Sequence, residues 1–514
     1  MPSAFFKNYR VYFLTAVAYM GSLLFGYDTG VMGSVLALQS FRGDFGLPLE
    51  TTGFGGSKNA QVASNVVSLL TAGCFFGSIA AAFCSDRFGR RYSLLGFTAI
   101  FPDRGRGANE CESQYWADLR RARDCGLGRG GNVEHYAGEF LVLGSTFAYW
   151  LNYGVALHIP KSTKQWRIPV AIQLIPVDSS SSVCYSSRNL HGGWQSKVVM
   201  RRLAPRWRSR GAQPSPTKKS CGKIAEIRAS IEEELSATEG LTWKECFAPA
   251  NRFRFFSAFC LMFWQQFSGT NSIGYYAPQI FQTIGISAAN TALFATGIYG
   301  TVKVITTGIF LLAGIDTLGR RKSLIFGAAW MMTMMFILAA VLVTHPPNTE
   351  STTVAPASIA MVVMIYLFVI GYSASWGPIP WVYVSEIFPT RLRSYGVGLA
   401  ASTQWLCNFS ITEITPIAVS NIGWRTFLMF GFFCLGMGTW AFLVVRETKG
   451  KTLEELDVLF GVVDAERRAN DVEAVLHSKK DIIHHEGGGS LESKAMDVRA
   501  DDSTTSDSNI EKAS

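Results

Sequence analysis

The chain has 514 residues, of which 48% are hydrophobic and only 17% charged, with 36 Phe and 13 Trp; this balance sets aside an ordinary assembly of two or three soluble domains. A formal net charge of +9 would suggest a nucleic-acid partner for a soluble protein, but here Lys and Arg gather in short loops beside apolar runs, the pattern that orients a membrane protein. Catalysis is not indicated: the sequence shows no nucleophile, base and orienting-acid set and no metal-ligand spacing, so no catalytic residue, metal ligand or cofactor is expected.

The first apolar run, Val11 to Leu38, supplies the roughly 20 residues needed to cross ~30 Å of hydrocarbon. It contains Asp28 and is followed by many similar runs, so it reads as a retained span and not as a cleaved signal segment. Val62 to Phe83 is the second span, closed by Arg87, Arg90 and Arg91. Two spans ahead of that basic loop, with Lys7 and Arg10 ahead of the first, place the N-terminus and the loop on the cytoplasmic side.

From Pro102 to Gly138 the chain is polar and charged, where symmetry with the second half would need two more spans. Phe140 to Ile159 is again a span. Another begins at Trp166 to Pro176 but dissolves into Val177-Asp-Ser-Ser-Ser-Ser182, and the Arg-rich stretch that follows, through Lys219, has almost no acid. Two readings are open: a basic cytoplasmic insertion that meets anionic lipid, or a disruption of the reading frame. The second better accounts for apolar segments vanishing where composition changes abruptly.

The spacing of Ile224, Ile227, Ile231 and Leu235 predicts an amphipathic helix in a central cytoplasmic loop. Six spans then follow with short loops: Phe255 to Ile280, and near 292–315, 324–344, 357–380, 395–419 and 424–445. A short amphipathic stretch, Leu453 to Phe460, leads into a Ser-, Asp- and Gly-rich tail expected to be disordered. The expected organisation is an N-terminal bundle over 1–176, a cytoplasmic loop over 177–250, a six-helix bundle over 251–446 and a cytoplasmic tail over 447–514. The protein is thus read as all-α and polytopic, with an incomplete first bundle.

The loop Asp86-Arg-Phe-Gly-Arg-Arg91 recurs as Asp316-Thr-Leu-Gly-Arg-Arg321, each after a span. Such a duplication implies two related halves, with Gly89 and Gly319 permitting the turn. Together with Leu24-Phe-Gly-Tyr-Asp-Thr-Gly30, Gln265-Gln-Phe-Ser-Gly-Thr-Asn271, Gly377-Pro-Ile-Pro-Trp-Val-Tyr383, Ser385-Glu-Ile-Phe-Pro-Thr-Arg391 and Arg446-Glu-Thr-Lys-Gly450, these loops resemble the signature set of the sugar-porter branch of the major facilitator superfamily. The segment Gly144 to Arg167 further resembles the quinate permeases of that branch. The resemblance covers residues 7–101, 139–176 and 223–460.

The resemblance implies a twelve-helix, two-bundle plasma-membrane transporter with both termini cytoplasmic, moving a small polyhydroxylated substrate by alternating access, often with a proton. This sequence lacks spans three and four, the end of span six, and the span-four arginine that the family sets opposite the span-one acid. A membrane protein that no longer transports, or the product of a disrupted gene, is therefore the alternative reading.

A hydroxyl-covered substrate must exchange water for protein hydrogen bonds, so amides and indoles inside spans are the candidates. Gln265, Gln266 and Asn271 do not share one face of a straight helix, but Gly269 between them permits a broken one. Gln404 and Asn408 stand at i and i+4 on one face, and Trp381 offers a flat stacking surface. Lys303 lies near the middle of its span, ~16 Å from either end at ~1.5 Å per residue, deeper than a lysine can snorkel. A cation there marks a functional site for a carboxylated polyol such as quinate, or else an ion pair, with Glu413 the partner to consider. Ser145 and Val304 stand where sugar porters usually carry an amide, so contacts for a neutral hexose look depleted. Asp28 is the candidate for proton coupling, since burial and a nearby cation move a carboxyl's affinity for protons in opposite directions. Asp86, Arg90, Asp316, Arg320, Glu386, Arg391 and Glu447 are expected to form a cytoplasmic charge network that closes the inner gate.

Overall fold

The computed structural model describes residues 9–46, 57–88, 132–173, 243–286, 288–347, 354–389, 392–451, 455–456 and 460. The predicted 224–235 helix, Arg90, Arg391 and most of the 102–138 stretch lie outside them, as does 177–242. Every regular element among the described residues is helical. The chain divides into two compact units, Met1–Ala248 with Arg252–Gly450 and Pro249–Asn251 with Lys451–Ser514; the contacts below belong to the first.

The first half contributes α1 (Tyr9–Val35), α2 (Gln39–Asp44), α3 (Ser57–Phe88), α4 (Asn132–His158) and α5 (Thr163–Ile172). At 10 residues with Pro169 inside, α5 is too short to cross a membrane. It caps the end of α4 and packs on α2, where Trp166 Nε1 donates to Asp44 (2.7 Å) and Ser40 Oγ to Gln165 (2.7 Å). Over its described part, the expected beginning of a sixth span is this 10-residue helix, held to α1 by the Tyr27 hydroxyl donating to the Pro169 carbonyl (2.7 Å).

Each span of the second half starts or breaks at a residue that explains it. The run predicted over 255–280 is three helices, α6 (Pro249–Phe267), α7 (Thr270–Tyr275) and α8 (Ala277–Thr283). Gly269 lies between the first two with φ +81°, and a Cβ there would stand 2.7 Å from the Phe430 ring; only glycine meets both demands. The next span, α9 (Ala289–Ile309), passes through a π-helical turn at Phe310–Gly314 into α10 (Ile315–Leu318). Gly319 (φ +84°) ends it, and α11 (Arg320–Thr344), α12 (Pro356–Ser373), α13 (Ile379–Ile387), α14 (Arg393–Ile422) and α15 (Arg425–Val444) follow. The predicted 357–380 span is thus also interrupted, at the turn between α12 and α13.

Among the described residues, six helices are long and apolar enough to cross a membrane: α3, α4, α9, α11, α12 and α15. Large apolar side chains face outward from them, including Leu69 (70% exposed), Phe326 (70%) and Leu443 (72%). Such an outer surface fits lipid and would aggregate in water. Within the first half α1 packs along α4, within the second α11 packs between α12 and α15, and the halves meet along two seams, α3 on α14 and α4 on α9.

The α1–α4 seam is made by glycines. Gly26 and Gly30 lie four apart on α1, one face of the helix, and Gly144 answers them from α4. A Cβ on Gly26 would run into the Leu141 carbonyl, one on Gly144 into that of Leu23, and one on Gly30 would stand 2.6 Å from the Ser145 oxygen. Without a hydrophobic driving force between helices in lipid, such backbone contact is a main source of association.

Candidate functional site

A cavity of about 160 Å³ opens between the halves, small beside sites for drug-sized ligands and suited to a single small ring. All seven residues expected to contact substrate line it: Gln265, Gln266 and Asn271 around the α6–α7 break, Lys303 on α9, Trp381 on α13, and Gln404 and Asn408 on α14. The three amides around the break form a directed ladder. Asn271 Nδ2 donates to Gln266 Oε1 (2.7 Å), Gln266 Nε2 to Gln265 Oε1 (3.3 Å), and Gln265 Nε2 to the carbonyls of Trp376 (2.8 Å) and Gly377 (3.1 Å). The ladder fixes the broken span to the interruption between α12 and α13.

Opposite it, polar capacity is left over. Asn408 Nδ2 donates to the Tyr275 hydroxyl (3.1 Å), while Asn408 Oδ1, Gln404 Oε1 and Ser373 Oγ are buried without a hydrogen-bond partner among the described residues. Orphaned buried groups of this kind each cost about 1–3 kcal/mol, so a ligand supplying hydroxyls there would be favoured. Lys303 faces the same cavity and makes no hydrogen bond or ion pair among the described residues. The alternative pairing with Glu413 does not form: the backbone carbonyl of Glu413 instead accepts from Ser64 Oγ on α3 (3.0 Å). Ser145 lines the cavity but turns its hydroxyl onto its own helix, donating to Val142 (2.9 Å), and Val304 is not among the lining residues.

Asp28 is 4% exposed, with Oδ1 lacking a partner among the described residues. Its neighbours Phe25 and Thr29 line the cavity and Asp28 does not.

The tyrosines that hold this arrangement together escaped the sequence reading. Tyr276 donates to the carbonyls of Ala63 on α3 (3.3 Å) and Thr412 on α14 (3.1 Å), Tyr149 on α4 donates to Gly274 (3.0 Å), and Gln279 Nε2 reaches the Gly33 carbonyl on α1 (3.2 Å). The segment after the break therefore binds both halves at once. The pair Tyr275-Tyr276 inside a span was the available signal.

At the other end of the bundle, Arg320 Nη2 pairs with Glu386 Oε1 at 2.9 Å, and Thr448 Oγ1 donates to Glu386 Oε2 (2.7 Å). Glu447 accepts the backbone N–H groups of Arg320 (2.9 Å), Arg321 (3.1 Å) and Lys449 (3.1 Å), which makes it the cap of α11, with its charge on the positive end of that helix. These described members of the expected charge network all lie in the second half. Arg90 and Arg391, and the side chains of Asp86 and Asp316, lie outside the described residues. Glu447→Ala is expected to lower stability by about 1–2 kcal/mol through the lost cap, read as a drop in thermal unfolding temperature, with Glu447→Gln falling between the two.

The chain matches the Sugar (and other) transporter family over residues 14–102 and 131–460. It belongs to that family. Among curated relatives, this transporter is 33% identical over 543 aligned positions to a probable quinate permease of Neosartorya fischeri, covering 96% of this chain and 95% of that one. It is 32% identical to the quinate permease of Emericella nidulans, covering 88% and 89%. Its fold matches the inward-open xylose transporter XylE from E. coli with a TM-score of 0.66 at 23% identity, over 87% of this chain and 99% of that one, and the major facilitator superfamily proton:xylose symporter XylE bound to 6-bromo-6-deoxy-D-glucose with 0.62 at 23% identity, over 88% and 99%. The sugar porter is accordingly a multi-pass membrane protein with the major facilitator fold. The family match is interrupted at 103–130 and is continuous through the Arg-rich 177–222 stretch.

Proposed function

We propose that this transporter carries a small polyhydroxylated acid of the quinate class across the plasma membrane by alternating access, coupled to a proton through Asp28, with both termini cytoplasmic and no catalytic activity. Lys303 carries the reading: an ammonium without a partner among the described residues, inside a cavity whose remaining groups accept or donate single hydrogen bonds. The ammonium takes the carboxylate, Gln404 and Asn408 take ring hydroxyls, and Trp381 covers the ring. The resemblance to quinate permeases supports the same substrate class.

The bonds from Tyr149, Tyr276 and Gln279 tie the broken span to helices of both halves, so release of that segment is the step that opens this side. Arg320, Glu386 and Glu447 hold the opposite end of the second half, where they would meet the Asp86 loop when that end closes.

The interruption of the family match over 103–130 favours a second reading, a protein that folds without transporting. Uptake of labelled quinate into proteoliposomes with an imposed pH gradient separates the two. Saturable uptake is expected, accelerated by an acidic exterior and competed by hydroxylated cyclic acids about 100-fold better than by a neutral polyol, the discrimination expected of one unmatched charge or hydrogen-bond set. Folded protein without uptake would establish the second reading.

A further inference from the structure

Along the α4–α9 seam between the halves, α9 offers glycines to the side chains of α4. A Cβ on Gly297 would stand 2.9 Å from the Trp150 ring, and one on Gly300 2.8 Å from the Thr146 hydroxyl. The group that meets Gly308 is a carboxyl: Glu139, the first residue of its membrane-crossing segment, lies so that a Cβ on Gly308 would stand 3.3 Å from Oε1. Glu139 Oε2 is buried without a hydrogen-bond partner among the described residues. The contact adjoins the central cavity without lining it. Leu141 and Val142 on α4 and Thr307 and Leu311 on α9 line the cavity, while Glu139 and Gly308 do not.

The charged and titratable groups on the packed helices leave this carboxyl alone. On α9, Lys303 stands about a turn and a half before Gly308, ~7.5 Å along the axis at ~1.5 Å per residue, and lines the cavity; Tyr299 lies beyond it. On α1 are Asp28 and Tyr27, whose hydroxyl donates to Pro169. Lys164 and Arg167 on α5, and Tyr149, Tyr153 and His158 on α4 itself, lie toward the other end of α4. Among the described residues none of these makes a hydrogen bond or ion pair with Glu139. A carboxylate kept from both water and cations is unfavourable, whereas the neutral acid is tolerated and has an O–H to donate. The halves cannot part at this point without wetting Glu139 from the cavity, and closing again on a bare charge is costly.

We infer that Glu139 is a second proton-binding site of this transporter, apart from Asp28: a neutral acid while α4 and α9 are in contact there, and a carboxylate when they part. On parting, the O–H bond breaks, its electron pair stays on Glu139 and the proton passes to water in the cavity; closing reverses the step. Gly308 makes room for the group, since a side chain there would press on the carboxyl. The inference rests on the alternating-access reading, in which this seam is one that opens.

Infrared difference spectroscopy and hydrogen–deuterium exchange of the purified full chain in lipid, stepped from mildly acidic to mildly alkaline pH without substrate, test it. Wild type and Asp28→Asn should both show the C=O band of a protonated carboxyl, lost on the alkaline step, that Glu139→Gln lacks. In wild type, backbone exchange around Glu139 and around Gly308 should rise on that step beyond the chemical rate. Glu139→Gln, neutral at every pH, should lose the rise, and Glu139→Asp should restore it. An unaltered set of carboxyl bands in Glu139→Gln, or exchange in that variant as pH-dependent as in wild type, would each overturn the assignment. Neither readout needs substrate: absence of quinate uptake overturns the transport reading alone, and these two outcomes overturn the site alone.

Discussion

Lys303→Met is expected to weaken binding of a quinate-class acid by about 30-fold or more while leaving insertion and thermal stability unchanged or improved. The two halves of this expectation share one cause. Within a membrane-spanning helix an unpaired ammonium costs about 2.5–3.5 kcal/mol even on insertion scales, and no described residue offsets that cost. Methionine removes the charge at nearly the same length and adds an apolar chain, so the empty protein gains. The loaded protein loses the partner of a desolvated carboxylate, a loss of about 2–5 kcal/mol, or roughly 30- to several-thousand-fold in affinity. Lys303→Arg keeps the charge and should retain part of the binding. Tritiated quinate binding and a thermal shift on the same preparations read both effects; unchanged affinity with a lowered melting temperature would make Lys303 a structural residue and remove the basis of the substrate reading.

The second large effect concerns folding. Gly144→Leu should destabilise the protein by at least about 3 kcal/mol, the upper range for overpacking, because the atom its Cβ would meet is the backbone carbonyl of Leu23, in α1. A side chain can turn aside and a helix backbone cannot, so α1 and α4 must part along their whole seam. Gly154→Leu, on the same helix with nothing within 4 Å of the added carbon, is the control and should be near neutral. Size-exclusion profiles and thermal unfolding of the two variants should therefore differ sharply, and equal behaviour would refute backbone contact at this seam.

The residues that line the cavity were readable because polar side chains inside apolar spans are few and expensive, which singles out Gln265, Gln266, Asn271, Lys303, Gln404 and Asn408 before any contact is known. The break at Gly269 was readable for the same reason: the three amides cannot share one face unless the helix is interrupted between them. Tyr276 and Tyr149 were not, since an aromatic in a span is ordinarily packing, and only the neighbouring carbonyls show that their hydroxyls tie helices together. Gly26, Gly30 and Gly144 likewise acquire meaning only when α1 and α4 are seen side by side.

Composition, hydropathy and motif order by themselves determined the membrane class, the two related halves and the polar residues inside apolar runs, because each is a property of consecutive residues against the thickness of a bilayer. Partnership was decided only by the tertiary structure. Lys303 faces a cavity and not Glu413, Glu447 caps a helix that begins over a hundred residues earlier, and Arg320 meets Glu386 within one half. A local stretch of sequence sets how costly a buried charge or amide is; which group offsets that cost depends on which helices the fold brings alongside.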